Sequence, residues 1–133
     1  MSLVQAKELF TRSFEEKFSL AAFNVFNMES LQAVVEACEQ ESSPAIIQIS
    51  GGARKYMHDE RLFLQYAKAV LNQSQVSFIL HHDHLKSVEE AKKAVDLGLP
   101  SVMFDGSALP FDENVSCTRE IVEYAHGKGV WVE

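Results

Sequence analysis

Short apolar runs rich in β-branched residues alternate along this chain with longer segments in which apolar positions recur every three to four residues. The short runs predict strands and the longer segments predict amphipathic helices, because side chains repeat every two residues in a strand and about every 3.6 in a helix. The alternation occurs four times, and a fifth apolar run follows. This order is typical of βαβ units and a parallel sheet.

The pattern gives approximate bounds for each element. A leader helix is predicted near Leu3 to Lys17, and a loop at Gly51-Gly52 separates the second strand from its helix. The predicted strands are Ala21–Val25, Ala45–Ser50, Val76–His82, Ser101–Phe104 and Val130–Glu133. The predicted helices are Glu29–Gln40, Asp59–Leu71, a helix from Ser87 to near Gly98, and Asp112–His126. The apolar stripes expected to face the core are Leu31, Val34, Val35 and Cys38 on the first of these helices and Leu62, Phe63, Tyr66 and Val70 on the second.

Four βα units and the start of a fifth strand amount to half of a (β/α)₈ TIM barrel, which typically needs about 250 residues. No linker rich in Pro, Ser or Gly divides the chain, so residues 1–133 are predicted to form a single unit, a barrel domain cut short. A half-barrel leaves two sheet edges and apolar strand faces uncovered, and we therefore expect a homo-oligomer or association with a missing half.

Polar residues occupy one face of the predicted strands near their C-terminal ends. Barrel enzymes build their active sites at this end, so the pattern favours catalysis. A flavodoxin-like sheet is disfavoured, because these residues would then lie against helices. The alternative for any single residue is that it only satisfies backbone groups at a strand end. The residues expected to point into the barrel are Asn24, Gln48, Ser50, His81, Asp83, Asp105 and Glu133.

Composition narrows the possible partners and the compartment. The chain carries 12 basic and 19 acidic residues, a formal net charge of -7, and has no basic stripe for nucleic acid. Cys38 and Cys117 lie in predicted helices without the spacing of a disulfide framework, which indicates a reducing cytosol. No signal segment and no apolar run near the roughly 18 residues of a membrane span are present, so we expect a cytoplasmic protein with no membrane partner.

The segment from Ile79 to Ser87 concentrates chemistry where the third strand ends. It holds one carboxylate, Asp83, and three imidazoles. Asp83 is predicted to act as a proton donor or base; its alternative, capping the next helix, suits Ser87 better because Ser87 forms a capping box with Glu90. His84 is a candidate metal ligand or an ordinary loop histidine.

The neighbouring histidines are predicted to be less important. His81 points into the barrel and could support a ligand, whereas His82 has the parity of the layer that packs against helices. His126 ends the fourth helix far from the functional face and is expected to stabilise the helix dipole. His58 follows the Gly-Gly loop on the functional face, but a single loop histidine is weak evidence.

Two further features could bind ligands. Asp105 precedes a glycine that allows close backbone approach, and it could bind a second cation or order the site; its alternative is an ordinary turn aspartate. The pair Gly51-Gly52 could expose backbone N–H groups to a phosphate, although it lacks the Lys-Ser/Thr of a P-loop.

Four segments stand out in order along the chain: Ala-Phe-Asn-Val at 22–25, Gln-Ile-Ser-Gly-Gly-Ala at 48–53, His-His-Asp-His at 81–84 and Asp-Gly-Ser-Ala-Leu-Pro-Phe at 105–111. Together they resemble the class II, metal-dependent fructose-bisphosphate and tagatose-bisphosphate aldolases. Glu-Asn at 113–114 and Glu-Tyr-Ala-His at 123–126 extend the resemblance over nearly the whole chain. The resemblance implies the N-terminal half of a TIM-barrel aldolase.

The resemblance also implies roles for individual residues. Asp83 matches the aspartate that transfers protons, and His84 matches a ligand of the catalytic Zn²⁺. Asp105 matches a carboxylate near a second metal position, and a monovalent cation could occupy that position instead. The residues that match positions around the phosphorylated sugar substrate are Asn24, Gln48 and Ser50. The reaction implied is aldol cleavage of fructose 1,6-bisphosphate or tagatose 1,6-bisphosphate to dihydroxyacetone phosphate and glyceraldehyde 3-phosphate.

Three departures from the family pattern affect this expectation. Leu85 stands where the family usually has a small residue, and His82 replaces a position that is commonly apolar or uncharged. The two remaining zinc histidines and the glycine-rich phosphate loops of the family fall beyond Glu133, which matches the first glutamate of a Glu-x-Glu segment. One imidazole cannot hold a catalytic zinc, so the 133 residues alone are expected to be inactive. The alternative function is a noncatalytic half-barrel that binds sugar phosphates or mediates oligomerisation.

Overall fold

A computed structural model describes residues 3–133 of the chain. The helices are α1 (Ala6–Glu16), α2 (Met28–Gln40), α3 (Gly51–Tyr56), α4 (Glu60–Leu71), α5 (Val88–Asp96) and α6 (Phe111–His126). The strands are β1 (Ala21–Asn24), β2 (Ala45–Ile49), β3 (Phe78–Leu85), β4 (Ser101–Phe104) and β5 (Trp131–Val132). Within residues 3–133, no helix is both long enough and apolar enough to cross a bilayer.

The five strands form one parallel sheet in the order β1-β2-β3-β4-β5, so each strand pairs with its neighbours along the chain. This is the predicted parallel sheet, and strand β4 has the predicted bounds. Because the helices connect consecutive parallel strands, all five strands direct their C-terminal ends to the same edge of the sheet. The candidate residues are therefore brought together at that edge.

The two faces of the sheet are covered differently. On one face, α2, α4, α5 and α6 bury the main hydrophobic core against strand residues such as Ile47, Leu80 and Val102, each with no exposed surface. On the other face, α1 packs Ala6 and Leu9 against Ile79 in a smaller core. The alternation predicted for β2 is observed, since Ala45, Ile47 and Ile49 are buried while Ile46 and Gln48 are half-buried.

Three sequence predictions were wrong: a loop, the end of a strand and the buried face of a helix. The Gly51-Gly52 pair is not a loop but the start of α3, because Ser50 accepts a hydrogen bond from the Ala53 amide and caps that helix. Strand β3 was predicted to end at His82 and continues to Leu85. Leu62 was assigned to the core stripe of α4 but is 64% exposed. The buried residues of α4 are Phe63, Leu64, Ala67 and Leu71, so the helix is rotated relative to the prediction.

Two leucines on α4 test this rotation. Leu64 is buried and Leu62 is exposed. We expect Leu64→Ala to lower the free energy of unfolding by about 2–5 kcal/mol, because it leaves a cavity in the core. The matched change Leu62→Ala should cost less than about 1 kcal/mol. Urea unfolding followed by circular dichroism measures both, and a larger loss for Leu62→Ala would contradict the orientation of α4.

Candidate active site

The C-terminal end of β3 contains a β-bulge. His81 and His82 pair with Ser101 and Val102, but the next matched residue on β3 is Leu85, opposite Phe104. Three steps along β3 thus correspond to two along β4, and one residue is left over between the pairs.

The bulge changes the direction of the side chains that follow His82. His84 has φ +53°, a left-handed conformation that is uncommon for a residue other than glycine. Asp83 and His84 therefore both reach the functional edge, and Leu85 returns to the helix-packed core, where it is 2% exposed.

His84 forms the centre of an electrostatic cluster at this edge. Its Nδ1 atom lies 2.8 Å from Oδ2 of Asp105, the residue that follows β4. Because a carboxylate only accepts hydrogen bonds, Nδ1 carries the proton and Nε2 is left available. The hydrogen bond to Asp105, supported by the nearby charge of Asp83, raises the pKa of His84 above its ordinary value.

Asp105 is held from several sides. The Lys86 ammonium contacts Oδ2, while the Ser107 hydroxyl and amide donate to Oδ1 at 2.5 and 3.1 Å. Lys86 contributes most, followed by Ser107 and His84, to a pKa of Asp105 well below its usual range. Asp105 is thus a fixed anion that orients the His84 ring, as carboxylates do beside metal-binding histidines.

The Asp83 carboxylate is arranged differently from that of Asp105. It is mostly buried, and the basic nitrogen nearest to it is His84 Nε2, 3.7 Å from Oδ1. Within residues 3–133 no hydrogen bond reaches this carboxylate. Its own backbone carbonyl, in contrast, accepts a hydrogen bond from Arg54 Nη1 at 3.3 Å. A carboxylate that is held by its backbone and left unbonded can exchange protons with a substrate.

A cavity of about 430 Å³ lies on the face of the sheet opposite the helices of the main core. Its polar lining includes Gln48, His81, Ser101 and Glu133. His81 Nδ1 is hydrogen-bonded to Ser101 Oγ at 2.8 Å, and His81 Nε2, buried without a hydrogen bond, lies 3.6 Å from Glu133. Burial lowers the pKa of His81, although Glu133 and Asp83 oppose the shift. His81 therefore belongs to the inner wall, as predicted.

The remaining predicted substrate residues are placed less closely. Asn24 is exposed at the end of the edge strand β1, paired in register with Gln48. Ser50 uses its hydroxyl to cap α3, which is the alternative role foreseen for strand-end residues. Gln48 lines the cavity beside His81. Contact of any of these three with a substrate stays a prediction.

His82 lies on the helix side of β3, as its parity predicted, but its surroundings are polar. Glu60 Oε1 is 3.1 Å from His82 Nε2 without hydrogen-bond geometry, and the same carboxylate also lies near Arg54 and Lys93. Burial lowers the pKa of His82 to about 3, and Arg54 and Lys93 add to this effect. Sequence reasoning missed Arg54, Glu60 and Lys86, because no spacing rule relates positions on α3, α4 and the β3–α5 loop.

The other two histidines are peripheral. His58 has a left-handed φ of +57° after α3 and lines a cleft of about 760 Å³ that His84 also lines. His126 is the last residue of α6, as predicted, and is exposed. Both cysteines are free and lie in the helices predicted for them.

The residues at this edge provide only part of a metal site. Among residues 3–133, no group of three or more His, Cys, Asp or Glu side chains is arranged to hold a metal ion. His84 nevertheless has the features of one donor, because its side chain is half exposed and Asp105 leaves Nε2 free. The described residues therefore fit one part of a zinc site and not a complete one.

Comparisons with known proteins agree with this fold and indicate a family. The sequence profile described as fructose-bisphosphate aldolase class II matches residues 4–133. The fructose-bisphosphate aldolase of Geobacillus stearothermophilus is 40% identical over 135 aligned positions, which cover 100% of this chain and 47% of that protein. The fructose-bisphosphate aldolase of Treponema pallidum is 38% identical, with coverages of 99% and 41%. The chain thus spans about half the length of these curated relatives.

Solved structures of aldolases share the fold of this chain. The YdjI aldolase of Escherichia coli K12 matches with a TM-score of 0.88 and 30% identity, over 98% of this chain and 49% of that chain. A fructose-bisphosphate aldolase from Campylobacter jejuni, at 22% identity and a TM-score of 0.85, supports the fold alone. The prediction of an N-terminal half of a TIM barrel is confirmed.

Because His82 is buried, we expect the folded protein to lose stability in acid. Its pKa falls from an ordinary 6.5 to about 3 on folding, so the unfolded chain binds more protons between these two pH values. The free energy of unfolding should therefore be fully retained above about pH 6.5 and fall as the pH is lowered toward about 3. The slope from this one group is at most about 1.4 kcal/mol per pH unit.

Replacing His82 by an apolar residue isolates its contribution to the pH dependence of stability. His82→Leu should flatten the dependence of the unfolding free energy on pH in that window, because the titrating group is removed. Gln32→Leu, an exposed change on α2 that removes no titrating group, should leave the slope unchanged. Urea unfolding at closely spaced pH values measures the slopes, and an unaltered slope for His82→Leu would contradict the assignment.

Proposed function

The chain belongs to the class II fructose-bisphosphate aldolase family, and we propose that it supplies the proton-transfer residue and one metal ligand for cleavage of a bisphosphorylated ketose. The observation that carries the proposal is the β3 bulge, which presents an unbonded Asp83 carboxylate beside a His84 ring oriented by Asp105. The substrate is proposed to be fructose 1,6-bisphosphate or tagatose 1,6-bisphosphate. The products are dihydroxyacetone phosphate and glyceraldehyde 3-phosphate.

The chemistry of aldol cleavage defines the task of Asp83. The bond between C3 and C4 breaks, its electron pair passes to C3 to form an enediolate, and the C4 hydroxyl loses its proton as C4 becomes an aldehyde carbon. Asp83 is proposed to accept this proton, because its carboxylate lies at the functional edge beside His84 and is free of competing hydrogen bonds within the described residues. The reverse transfer would serve condensation.

Zinc is the proposed cofactor. When bound, it would polarise the ketose carbonyl as a Lewis acid. His84 would hold it through Nε2, while Asp105 accepts the hydrogen bond from Nδ1 and keeps the ring in place. A catalytic zinc normally takes three protein ligands, so the other donors would come from outside residues 3–133.

The roles of the remaining site residues follow from their positions. Asp105 supports His84 instead of binding the catalytic zinc directly, since its Oδ2 atom already contacts both His84 and Lys86. A second metal or monovalent cation at Asp105 would need to displace Lys86. Asn24, Gln48 and Ser50 are proposed to face the sugar and its phosphate from β1 and β2, with His81 supporting the inner wall.

Replacing Asp83 tests its proton-transfer role in a complete barrel, with residues 1–133 joined to the second half. Asp83→Asn should lower kcat for fructose 1,6-bisphosphate cleavage by about 10²–10⁴-fold, because the amide cannot accept the proton. Zinc stoichiometry, measured by elemental analysis, should be unchanged. Asp112→Asn, an exposed change in the first turn of α6, serves as the control.

Two results would remove parts of the proposal. Near-normal turnover of Asp83→Asn with zinc bound would exclude Asp83 from proton transfer. Full activity after thorough chelation would exclude the metal. A folded oligomer of the complete protein with neither lyase activity nor zinc would instead favour the alternative function, a noncatalytic sugar-phosphate or oligomerisation module.

Asp105 provides a separate test of the metal ligand. Asp105→Asn should weaken zinc binding by about 10–100-fold, since removing the partner of a metal-binding histidine commonly has this effect. Competition with a chromophoric chelator measures the affinity, and Asp112→Asn again serves as the control. An unchanged zinc affinity in Asp105→Asn would show that the contact between Asp105 and His84 does not assist binding.

A further inference from the structure

We propose that Arg54 is a positioning residue that holds the β3 bulge through the backbone carbonyl of Asp83. The inference rests on the proposed function, because it concerns the geometry of the same proton-transfer residue. Arg54 lies in the last turn of α3, and its side chain extends back over the C-terminal ends of two strands. No motif or resemblance in the sequence assigned it a role.

The contacts of Arg54 join β2 and β3 at the functional edge. Nη1 donates to the Asp83 carbonyl at 3.3 Å and to the Ile49 carbonyl at 3.5 Å. A bulge interrupts regular pairing between strands and leaves a residue unpaired. Arg54 thus supplies a donor at the point on β3 where the pairing with β4 is irregular.

Two glutamates keep the guanidinium in this position. Arg54 Nε lies 4.0 Å from Glu60, and Nη2 lies 3.9 Å from Glu90, while the side chain is only 15% exposed. Glu90 also accepts a hydrogen bond from the Lys86 amide at 3.1 Å, so it contacts the segment that follows the bulge. The planar guanidinium can satisfy several acceptors in fixed directions at once, which an ammonium cannot do.

The bulge needs support because its backbone is strained and its carboxylate is unbonded. His84 has a left-handed φ of +53°, a conformation that persists only where the surrounding structure imposes it. The Asp83 side chain has no hydrogen bond within residues 3–133 that could fix its direction. Its position must therefore come from its backbone, and a misplacement of about 1 Å can cost about 10²-fold in rate.

Arg54 could instead bind a substrate phosphate, since it lines the cleft that also contains Lys55, Arg61 and Lys86. The contacts argue against this reading. The guanidinium is largely covered and already lies near two carboxylates, whereas Lys55 and Arg61 are exposed. A phosphate-binding role would raise KM, while a positioning role lowers kcat, so kinetics separates the two.

Kinetics of the complete barrel tests the proposal. We expect Arg54→Ala to lower kcat by about 10–100-fold while KM changes less than about threefold and zinc stoichiometry stays the same. Arg54→Lys should recover only part of the loss, because it lacks the planar fork. Added guanidinium ion should restore activity to Arg54→Ala. It should not change the kcat of the control, Arg119→Ala, an exposed change on α6 whose kcat should stay within about twofold of the unsubstituted enzyme.

A measurement that does not depend on activity accompanies the kinetics. In NMR spectra of the folded protein, Arg54→Ala should shift the His84 Cα resonance and the amide resonances of residues 83–85, and guanidinium ion should reverse these shifts. If Arg54→Ala does not fold, the same measurements are made on Arg54→Gln, which retains much of the side chain.

The outcomes separate this inference from the proposed function. Unchanged kcat and unchanged resonances at residues 83–85 in a folded Arg54 variant would overturn the positioning role while leaving the aldolase proposal intact. A rise in KM alone would overturn it in favour of phosphate binding. An inactive unsubstituted barrel would overturn the aldolase proposal, and the resonance shifts would then still report whether Arg54 holds the bulge.

Discussion

The irregular pairing of β3 with β4 is the constraint on which the candidate site depends. Strand β3 lies at the centre of the sheet, with β2 on one side and β4 on the other. In a buried parallel strand each side chain is committed to one face, so a regular continuation would place His84 against the helices. One additional residue releases Asp83 and His84 to the edge and returns Leu85 to the core.

Charged side chains around the functional edge maintain this geometry. Asp105 fixes the His84 ring and is itself held by Lys86 and Ser107. Arg54 contacts the Asp83 carbonyl and lies near Glu60. Buried or half-buried charges are costly unless they are paired. These contacts therefore lower the energetic cost of burying the charges and fix the positions of the side chains. The Asp83 carboxylate itself is left unbonded within residues 3–133.

The departures from the family pattern acquire a physical explanation. Leu85 is accommodated because the bulge turns it into the core between the sheet and the helices. His82, where the family is commonly apolar or uncharged, sits beside Glu60, and burial keeps its imidazole neutral. Arg54 and Lys93 lie near the same Glu60 carboxylate, so the substitution belongs to a polar cluster behind the strand.

The sequence by itself determined the order of elements, the parallel sheet and the edge at which Asp83, His84 and Asp105 meet, because side-chain periodicity and strand direction are local properties of the chain. Only the tertiary structure decided which residues support them. The bulge depends on the register between two strands, and Arg54, Glu60 and Lys86 reach the site from three separate segments. Such contacts depend on how elements distant in sequence pack together, and the spacing of residues along one chain does not encode that packing.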